Sequence, residues 1–146
     1  MKIYLDSCSL QRPLDDQTQL RIAAETKIVT GVFMLWKAGE FELLGSDALD
    51  YEAENIPDTD RKVFILEILK DLNPFVELTD EVKEQSIGYR DIGIKPLDAF
   101  HLASAVVAEA DYFCSCDDKF IKKAKKANTK TTTVVSLFEL VNHIEQ

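Results

Sequence analysis

Hydrophobic residues recur along this chain in two patterns, short extended runs and longer runs with helical spacing. Residues 2–6 alternate and are rich in Ile, Tyr and Leu, which predicts a first strand ending at Asp6. Further short apolar runs predict strands at residues 41–44, 75–78, 112–116 and 131–135, of which 75–78 is a short edge strand. Helical periodicity fills the segments between them.

Polar residues and prolines mark where the helices begin. Pro13 with the pair Asp15 and Asp16 predicts the start of a first helix, which Gly39 ends. Ser46 or Asp47 is expected to cap a helix that carries Leu49 and Glu52. Later helix starts are predicted at Asp58 or Thr59, Thr79, Pro96, Asp117 and Ser136. The helix over residues 97–109 is apolar almost all round and should be buried.

Strands that alternate with helices predict an α/β domain with a mainly parallel sheet. The chain has 146 residues, with no internal repeat and no linker, which favours one domain over residues 1–146. Open parallel sheets bind ligands at the carboxyl ends of their strands. The residues that follow each strand are therefore the candidates for function.

Composition fits a globular protein, since 46% of residues are hydrophobic and 29% are charged. No segment approaches the ~20 apolar residues of a membrane span, and residues 1–6 do not resemble a signal peptide. We therefore expect a cytoplasmic protein. The three cysteines, Cys8, Cys114 and Cys116, are an odd number that argues against a disulfide framework and favours core packing.

The net charge is −9, which is unusual for a protein that binds nucleic acid by surface charge. Acidity does not exclude a nuclease, because metal ions can supply positive charge at a scissile phosphate. Residues 111–146 carry 6 of the 17 basic side chains, all between Lys119 and Lys130. These lysines either guide an RNA backbone or form a solvated helix face, and the sequence leaves both interpretations open.

Four carboxylates follow predicted strands or begin predicted helices: Asp6, Glu52, Asp98 and Asp117. If they converge at one edge of the sheet, their oxygen atoms would suit a hard divalent cation such as Mg²⁺. Ordinary roles compete with this one. An acid such as Asp6 is common in turns, and an acid in the first turn of a helix, as at Asp98, favours the helix dipole. Asp47 and Asp50 compete with Glu52, and Asp118 competes with Asp117 for capping and binding.

Four stretches resemble the motifs of the PIN domain family, in the family's order and over nearly the whole chain. They are KIYLDSCSL (2–10), GSDALDYEAENIPD (45–58), PLDAFHLASA (96–105) and ADYFCSCDDKF (110–120). The resemblance assigns the family's metal-binding and catalytic acids to Asp6, Glu52, Asp98 and Asp117. It is the resemblance, and not spacing, that prefers Glu52 over its acidic neighbours.

The resemblance implies a three-layer α/β/α fold and hydrolysis of RNA phosphodiester bonds that depends on Mg²⁺ or Mn²⁺. It also implies a VapC-like toxin of a toxin–antitoxin pair, a homodimer with an antitoxin protein as partner. Cys8 departs from the family's frequent Asn, and the acidity departs from many members. The alternative is a catalytically weak or inactive PIN-fold module that binds RNA or protein.

Several neighbours of the acids have ordinary explanations as well. His101 lies one turn after Asp98 and is more readily a satisfied core histidine than a base. Lys95 and Arg90 could contact a phosphate or face solvent. Other phosphate-handling α/β proteins fit less well: no P-loop motif is present, and Cys8 stands where a haloacid-dehalogenase phosphatase needs its second Asp.

Overall fold

Four parallel strands form the central sheet of the computed structural model, which describes residues 1–145. In spatial order they are β2 (Glu42–Leu43), β1 (Lys2–Leu5), β5 (Tyr112–Ser115) and β6 (Thr133–Ser136). A separate pair, β3 (Gly45–Ser46) and β4 (Phe75–Val76), is also parallel. Consecutive residues of β1, Ile3 and Tyr4, are both fully buried, so both faces of the sheet are covered.

Eight α-helices connect and flank these strands within residues 1–145. They are α1 (Ser7–Gln11), α2 (Leu20–Lys37), α3 (Asp47–Glu54), α4 (Thr59–Leu69), α5 (Asp80–Asp91), α6 (Pro96–Val107), α7 (Asp118–Lys125) and α8 (Leu137–Ile144). As predicted, α6 is largely buried. Pro96 occupies its first turn, where a missing N–H costs nothing. None of the helices in this described range is long and apolar enough to cross a membrane.

The helices lie in two layers, which gives the predicted α/β/α architecture. Connections between parallel strands are generally right-handed. From the centre of this sheet, the connection from β1 to β2 and the connection from β5 to β6 run in opposite directions. The helices of these two connections, α2 and α7, therefore lie on opposite faces. Phe120 of α7 packs on Phe113, and Phe113 stacks on Tyr4, which also contacts α6. Helix α8 packs with α2.

The strand order reverses between β1 and β5, which makes their carboxyl ends a topological switch point. Leu5 pairs with Cys114, and the Asp6 N–H donates to the Cys114 carbonyl at 3.1 Å. This register brings Asp6 next to the end of β5, just before Asp117. The fold thus creates a crevice at the position where open α/β sheets bind ligands.

Four predicted helix caps are confirmed by their geometry. Ser46, rather than Asp47, accepts from the Leu49 N–H, and Asp58, rather than Thr59, accepts from the Arg61 N–H. Thr79 caps α5, and Ser136 forms a complete capping box with Glu139. These ends are predictable because each cap satisfies N–H groups of its own first turn.

The predicted start of the first helix is wrong. Asp6 itself caps α1, Pro13 lies in a single 3-10 turn (Arg12–Leu14), and α2 begins only at Leu20 with no acid in its first turn. Asp16 instead accepts from the Thr18 N–H and hydroxyl in a local turn. A short polar side chain that forms a hydrogen bond with the backbone two residues later favours a turn over a helix.

Other ends differ from prediction by one or two residues. Strand β5 ends at Ser115, so Cys116 follows the strand and does not share its face with Cys114. Strand β6 begins at Thr133, and α6 ends at Val107, before the positive φ of Glu109. Gly39, with φ of 82°, follows the end of α2 as predicted. The thiols of all three cysteines are free.

Candidate functional site

Asp6 lies at the carboxyl end of β1 and accepts two hydrogen bonds from Ser9 of α1. Its Oδ1 accepts from the Ser9 N–H at 3.1 Å and from the Ser9 hydroxyl at 2.8 Å. Only 6% of the residue is exposed. An N-cap with a second hydroxyl donor fixes the carboxylate rotamer, so Asp6 is rigidly held at the switch point.

The second oxygen of Asp6 is less engaged. Cys8 Sγ lies 3.3 Å from Oδ2 and 3.2 Å from Oδ1, and a thiol is a weak donor. Burial raises the pKa of Asp6, and the hydrogen-bonding groups of Ser115, Ser9 and Cys8 and the charge of His101 offset this only in part. Asp6 therefore keeps acceptor capacity for a cation, and a cation would relieve the cost of its buried charge.

Glu52 lies in α3 and is held from the opposite helix. Its Oε1 accepts from His101 Nε2 at 2.8 Å, and its side chain is 29% exposed. Burial pushes the pKa of Glu52 upward, but the hydrogen bond and charge of His101, with the Ser7 hydroxyl, outweigh it and hold the pKa below its ordinary value. The pKa of Glu52 is thus lowered, whereas burial raises the pKa of Asp6 and of Asp98.

His101 is a buried and satisfied histidine, as its apolar neighbours predicted. Its Nδ1 lies 2.7 Å from Tyr4 Oη, and Tyr4 Oη lies 2.7 Å from Ser46 Oγ, which accepts from the Leu49 N–H. Because a carboxylate only accepts, Nε2 carries the proton that Glu52 receives. When the ring is neutral, Ser46 donates to Tyr4 and Tyr4 donates to Nδ1. This buried chain links β1, β3, α3 and α6.

Asp98 lies in the first turn of α6, two residues after Pro96. Burial raises its pKa, and the negative charges of Asp6, Asp117 and Glu52 raise it further, against a lowering effect of His101. The three other predicted acids are therefore close enough to act on Asp98 electrostatically. Four segments that are far apart in the chain meet at one edge of the sheet.

Asp117 caps α7, and Asp118 does not. The Asp117 Oδ1 accepts from the Lys119 and Phe120 N–H groups at 3.1 and 3.2 Å. Asp118 instead forms a bidentate ion pair with Arg21, at 2.6 and 2.8 Å. The sequence left capping and metal binding open between the two acids; Asp117 is the cap, and it also lines a cavity beside Asp98.

The acids surround a common space but do not form a closed cage. Within residues 1–145, no group of three or more His, Cys, Asp or Glu side chains is arranged to hold a metal ion by itself. Exposure increases across the set, from buried Asp6, through half-buried Glu52 and Asp98, to exposed Asp117. The arrangement is an open crevice with a buried end.

A small cavity of about 100 Å³ adjoins Asp98 and Asp117 and has lysines on its walls. Lys95 and Lys119 line it, as does Lys123, whose Nζ donates to the Gly93 carbonyl at 3.1 Å. Further along α7, Lys125 pairs with Glu139 and so points to other partners. The lysine run therefore divides: Lys119 and Lys123 face the acids, while Lys125 does not. Arg90 is not among the lining residues.

Comparison with known proteins identifies the family and the fold. The PIN domain family matches residues 3–126, and the chain therefore belongs to this family. No curated protein matches the sequence. A chain in the crystal structure of VapBC2 from Rickettsia felis, bound to a DNA fragment from their promoter, has the same fold with a TM-score of 0.57. The two are 12% identical, and the match covers 92% of this chain and 98% of that one.

Proposed function

We propose that this protein is a Mg²⁺- or Mn²⁺-dependent endoribonuclease that hydrolyses RNA phosphodiester bonds. The observation that carries the proposal is that Asp6 lies next to the end of β5, just before Asp117, and that Asp98 and Asp117 line one cavity. Like charges gathered in this way destabilise the protein unless a cation joins them. Membership of the PIN domain family supports the same conclusion.

The residues present fit a hard divalent cation. All four donors are carboxylates, and Oδ2 of Asp6 lies 3.3 Å from the Cys8 thiol, which is a weak donor. Mg²⁺ keeps several waters and binds through one or two carboxylates together with substrate phosphate, so an open acid crevice suits it better than a cage would. We infer that Asp6 and Asp98 are the principal ligands, with Glu52 and Asp117 orienting waters or supporting a second ion.

The chain's own groups then have distinct tasks. A bound cation would polarise the phosphate and activate a water. The ammonium groups of Lys95 and Lys119, beside Asp98 and Asp117, are suited to hold the RNA phosphates that flank the scissile one. His101 fixes the orientation of Glu52 from beneath, away from substrate. In a protein with a net charge of −9, this local lysine pair supplies the attraction for RNA.

Metal titration with RNA cleavage tests the proposal. We expect wild-type protein to cleave single-stranded RNA with Mg²⁺ or Mn²⁺ and not with a chelator. Asp98→Asn should lower cleavage by at least ~100-fold, as expected when a metal ligand is lost. The matched control is Asp80→Asn, since Asp80 lies in the first turn of α5 and is exposed. Equal loss in both variants, or cleavage in chelator, contradicts the proposal.

We further propose that the protein is the toxin of a toxin–antitoxin pair. The likeness in fold to a chain of VapBC2 supports this idea. Helix α2 also exposes Leu20 and Met34, at 87% and 70%, apolar area that a partner chain could cover. A small reading frame for a DNA-binding protein next to this gene, and growth arrest that its co-expression relieves, are the expected results. Light scattering tests the homodimer, which remains a prediction.

The alternative is a PIN-fold module that binds RNA or protein without cleaving it. The acidic net charge and Cys8 favour this alternative, because Cys8 contacts both oxygens of Asp6. Binding of RNA without cleavage at millimolar Mn²⁺ would favour this alternative. Replacing Cys8 by Asn, the residue frequent in the family, should raise cleavage if the thiol is what limits it.

A further inference from the structure

A second and larger cleft is lined by Glu52 and by none of the lysines. Its volume is about 640 Å³, which is in the range of small-molecule sites. Tyr51, Ile56, Pro57 and Leu97 supply apolar surface, and Glu52 lines the cleft as well. The hydrogen-bonding groups come from Gln11, Asn55, Asp58 and Arg61.

Tyr51 is the unusual residue of this cleft. It is 61% exposed, although it lies next to Glu52 on α3 and close to the acids. Large aromatic side chains normally bury their rings, and an exposed ring that lines a polar cleft offers a stacking surface. Asn55, one turn later, donates its Nδ2 to the Tyr51 carbonyl at 2.8 Å, which leaves its amide oxygen as an acceptor.

The part of the cleft formed by Arg61 and Gln11 is held by several hydrogen bonds. Arg61 Nη1 donates to Asp15 Oδ1 at 2.9 Å and to Gln11 Oε1 at 3.2 Å, and Nη2 donates to the Leu14 carbonyl at 2.8 Å. Gln11 in turn donates to Ser7 Oγ at 2.7 Å. These bonds tie α4 to α1, so this part of the cleft does not need to be ordered when a ligand binds.

We propose that this cleft is a nucleobase-binding subsite in which the ring of Tyr51 stacks on one base of single-stranded RNA. The proposal rests on the proposed function, because it adds a base pocket to the same crevice. Glu52 lines the Tyr51 cleft, and Asp98 and Asp117 line the lysine cavity. A strand that crosses the acids would therefore meet phosphate-binding groups beside Asp98 and Asp117 and a base platform beside Glu52. Bases of single strands are commonly held by stacking on tyrosine.

A fluorescent base analogue tests the stacking directly. The probe is a short single-stranded oligoribonucleotide with 2-aminopurine, titrated with full-length protein in Ca²⁺ to separate binding from cleavage. We expect quenching by wild type and by Tyr51→Phe, which keeps the ring. Tyr51→Leu keeps helix propensity but removes the ring. It should lose the quenching and bind ~5–100-fold more weakly, the range for one stacked base.

Phe138→Leu is the matched control, because Phe138 is an exposed aromatic of α8, at 43%, that does not line the cleft. It should behave as wild type. Wild-type protein that binds the RNA without quenching the probe would overturn the base subsite and leave the nuclease proposal standing. Protein that binds no RNA and cleaves none would overturn both. Quenching that persists in Tyr51→Leu would assign the stacking to another residue and reject Tyr51.

Discussion

Nε2 of His101 lies 2.8 Å from Oε1 of Glu52, so a buried imidazole of α6 holds a carboxylate of α3 at the edge of the crevice. The other ring nitrogen contacts Tyr4 of the central strand at 2.7 Å. One histidine thus connects the sheet, two helices and a candidate catalytic acid. Its role is to position Glu52.

Replacement of His101 by Phe should destabilise the fold, because Glu52 and Tyr4 would lose partners in a largely dry environment. The expected cost is ~1–3 kcal/mol in the free energy of unfolding, measured by urea denaturation. It should also raise the pKa of Glu52, which carbon-13 NMR of the carboxyl group can follow. His143→Phe, at an exposed position of α8, is the control and should stay within ~0.5 kcal/mol of wild type.

Asp98 should make stability fall with rising pH in metal-free protein. Burial and the charges of Asp6, Asp117 and Glu52 raise its folded-state pKa above the unfolded value. The stability that Asp98 contributes is then fully present below the unfolded pKa, about 4, and is lost as pH rises through the folded pKa. We expect Asp98→Asn to become more stable relative to wild type over this range, and Mn²⁺ to stabilise wild type alone.

Glu52 provides an internal control, because its contribution to stability should change with pH in the direction opposite to that of Asp98. Its pKa is lowered, so its stabilising contribution is present above the unfolded pKa and is lost as pH falls through the folded value. Glu52→Gln should therefore cost most near neutral pH and least in acid. Unfolding curves of the two variants that shift in the same direction with pH would contradict the charge distribution described for the crevice.

The sequence predicted most elements whose signals are local, except the start of the first helix, and did not predict contacts between distant segments. Caps such as Ser46 and Ser136 bond their own first turns, so their identity is visible in the sequence. Asp16 also belongs to the residue types that commonly cap helices, but its side chain bonds Thr18 and begins no helix. At the site, acids at strand ends were predictable from the rule for parallel sheets and from the family motifs.

The chain through His101 and Tyr4 was not predictable, because its members lie on four elements and only folding brings them together. Glu25 is a second such case. It is fully buried, with Arg12 at 3.1 Å and Arg21 at 3.5 Å from its Oε1. Within residues 1–145 its Oε2 has no hydrogen-bond partner. Nothing in the helical pattern of α2 distinguishes this acid from a solvated one.

Arg21 should act as a positioning residue for Asp117. Its guanidinium pairs with Asp118 through both oxygens and reaches the Cys116 carbonyl at 3.4 Å, so it holds the residues on both sides of Asp117. Arg21→Lys loses the bidentate geometry but keeps the charge. We expect kcat for RNA cleavage to fall on the order of tenfold, because the acid is displaced. Unfolding free energy should change by less than ~1 kcal/mol, since the pair with Asp118 is exposed and lysine keeps a positive charge near Glu25.

The control for Arg21 is Lys70, whose pair with Glu67 is also exposed and lies outside the crevice. Lys70→Gln should leave both kcat and stability close to wild type. If Arg21→Lys changes KM and leaves kcat unaltered, the side chain contacts RNA and does not position Asp117. If it lowers stability as much as activity, its role is structural.

Gly45 should not tolerate a side chain, because the backbone of β3 lies close against the loop before β4. A Cβ at this position would lie 3.2 Å from Leu72 Cβ, 3.2 Å from Phe75 Cδ2 and 3.3 Å from the Leu72 carbonyl oxygen. Two of these three atoms belong to the backbone or its first side-chain carbon and cannot move alone. Gly45→Ala should therefore destabilise the protein by about 1–3 kcal/mol, the range for overpacking.

Gly88 provides the matched substitution, since a Cβ there meets nothing within 4 Å and the residue lies inside α5. Gly88→Ala should stabilise the protein by about 0.5–1 kcal/mol, because alanine loses less backbone entropy in a helix. Thermal and urea unfolding of the two variants should thus move in opposite directions. Gly45→Ala should also weaken RNA cleavage, because Gly45 directly precedes Ser46, the residue that caps the helix carrying Glu52 and contacts Tyr4. A Gly45→Ala protein as stable and active as wild type would contradict this close approach of the two strands.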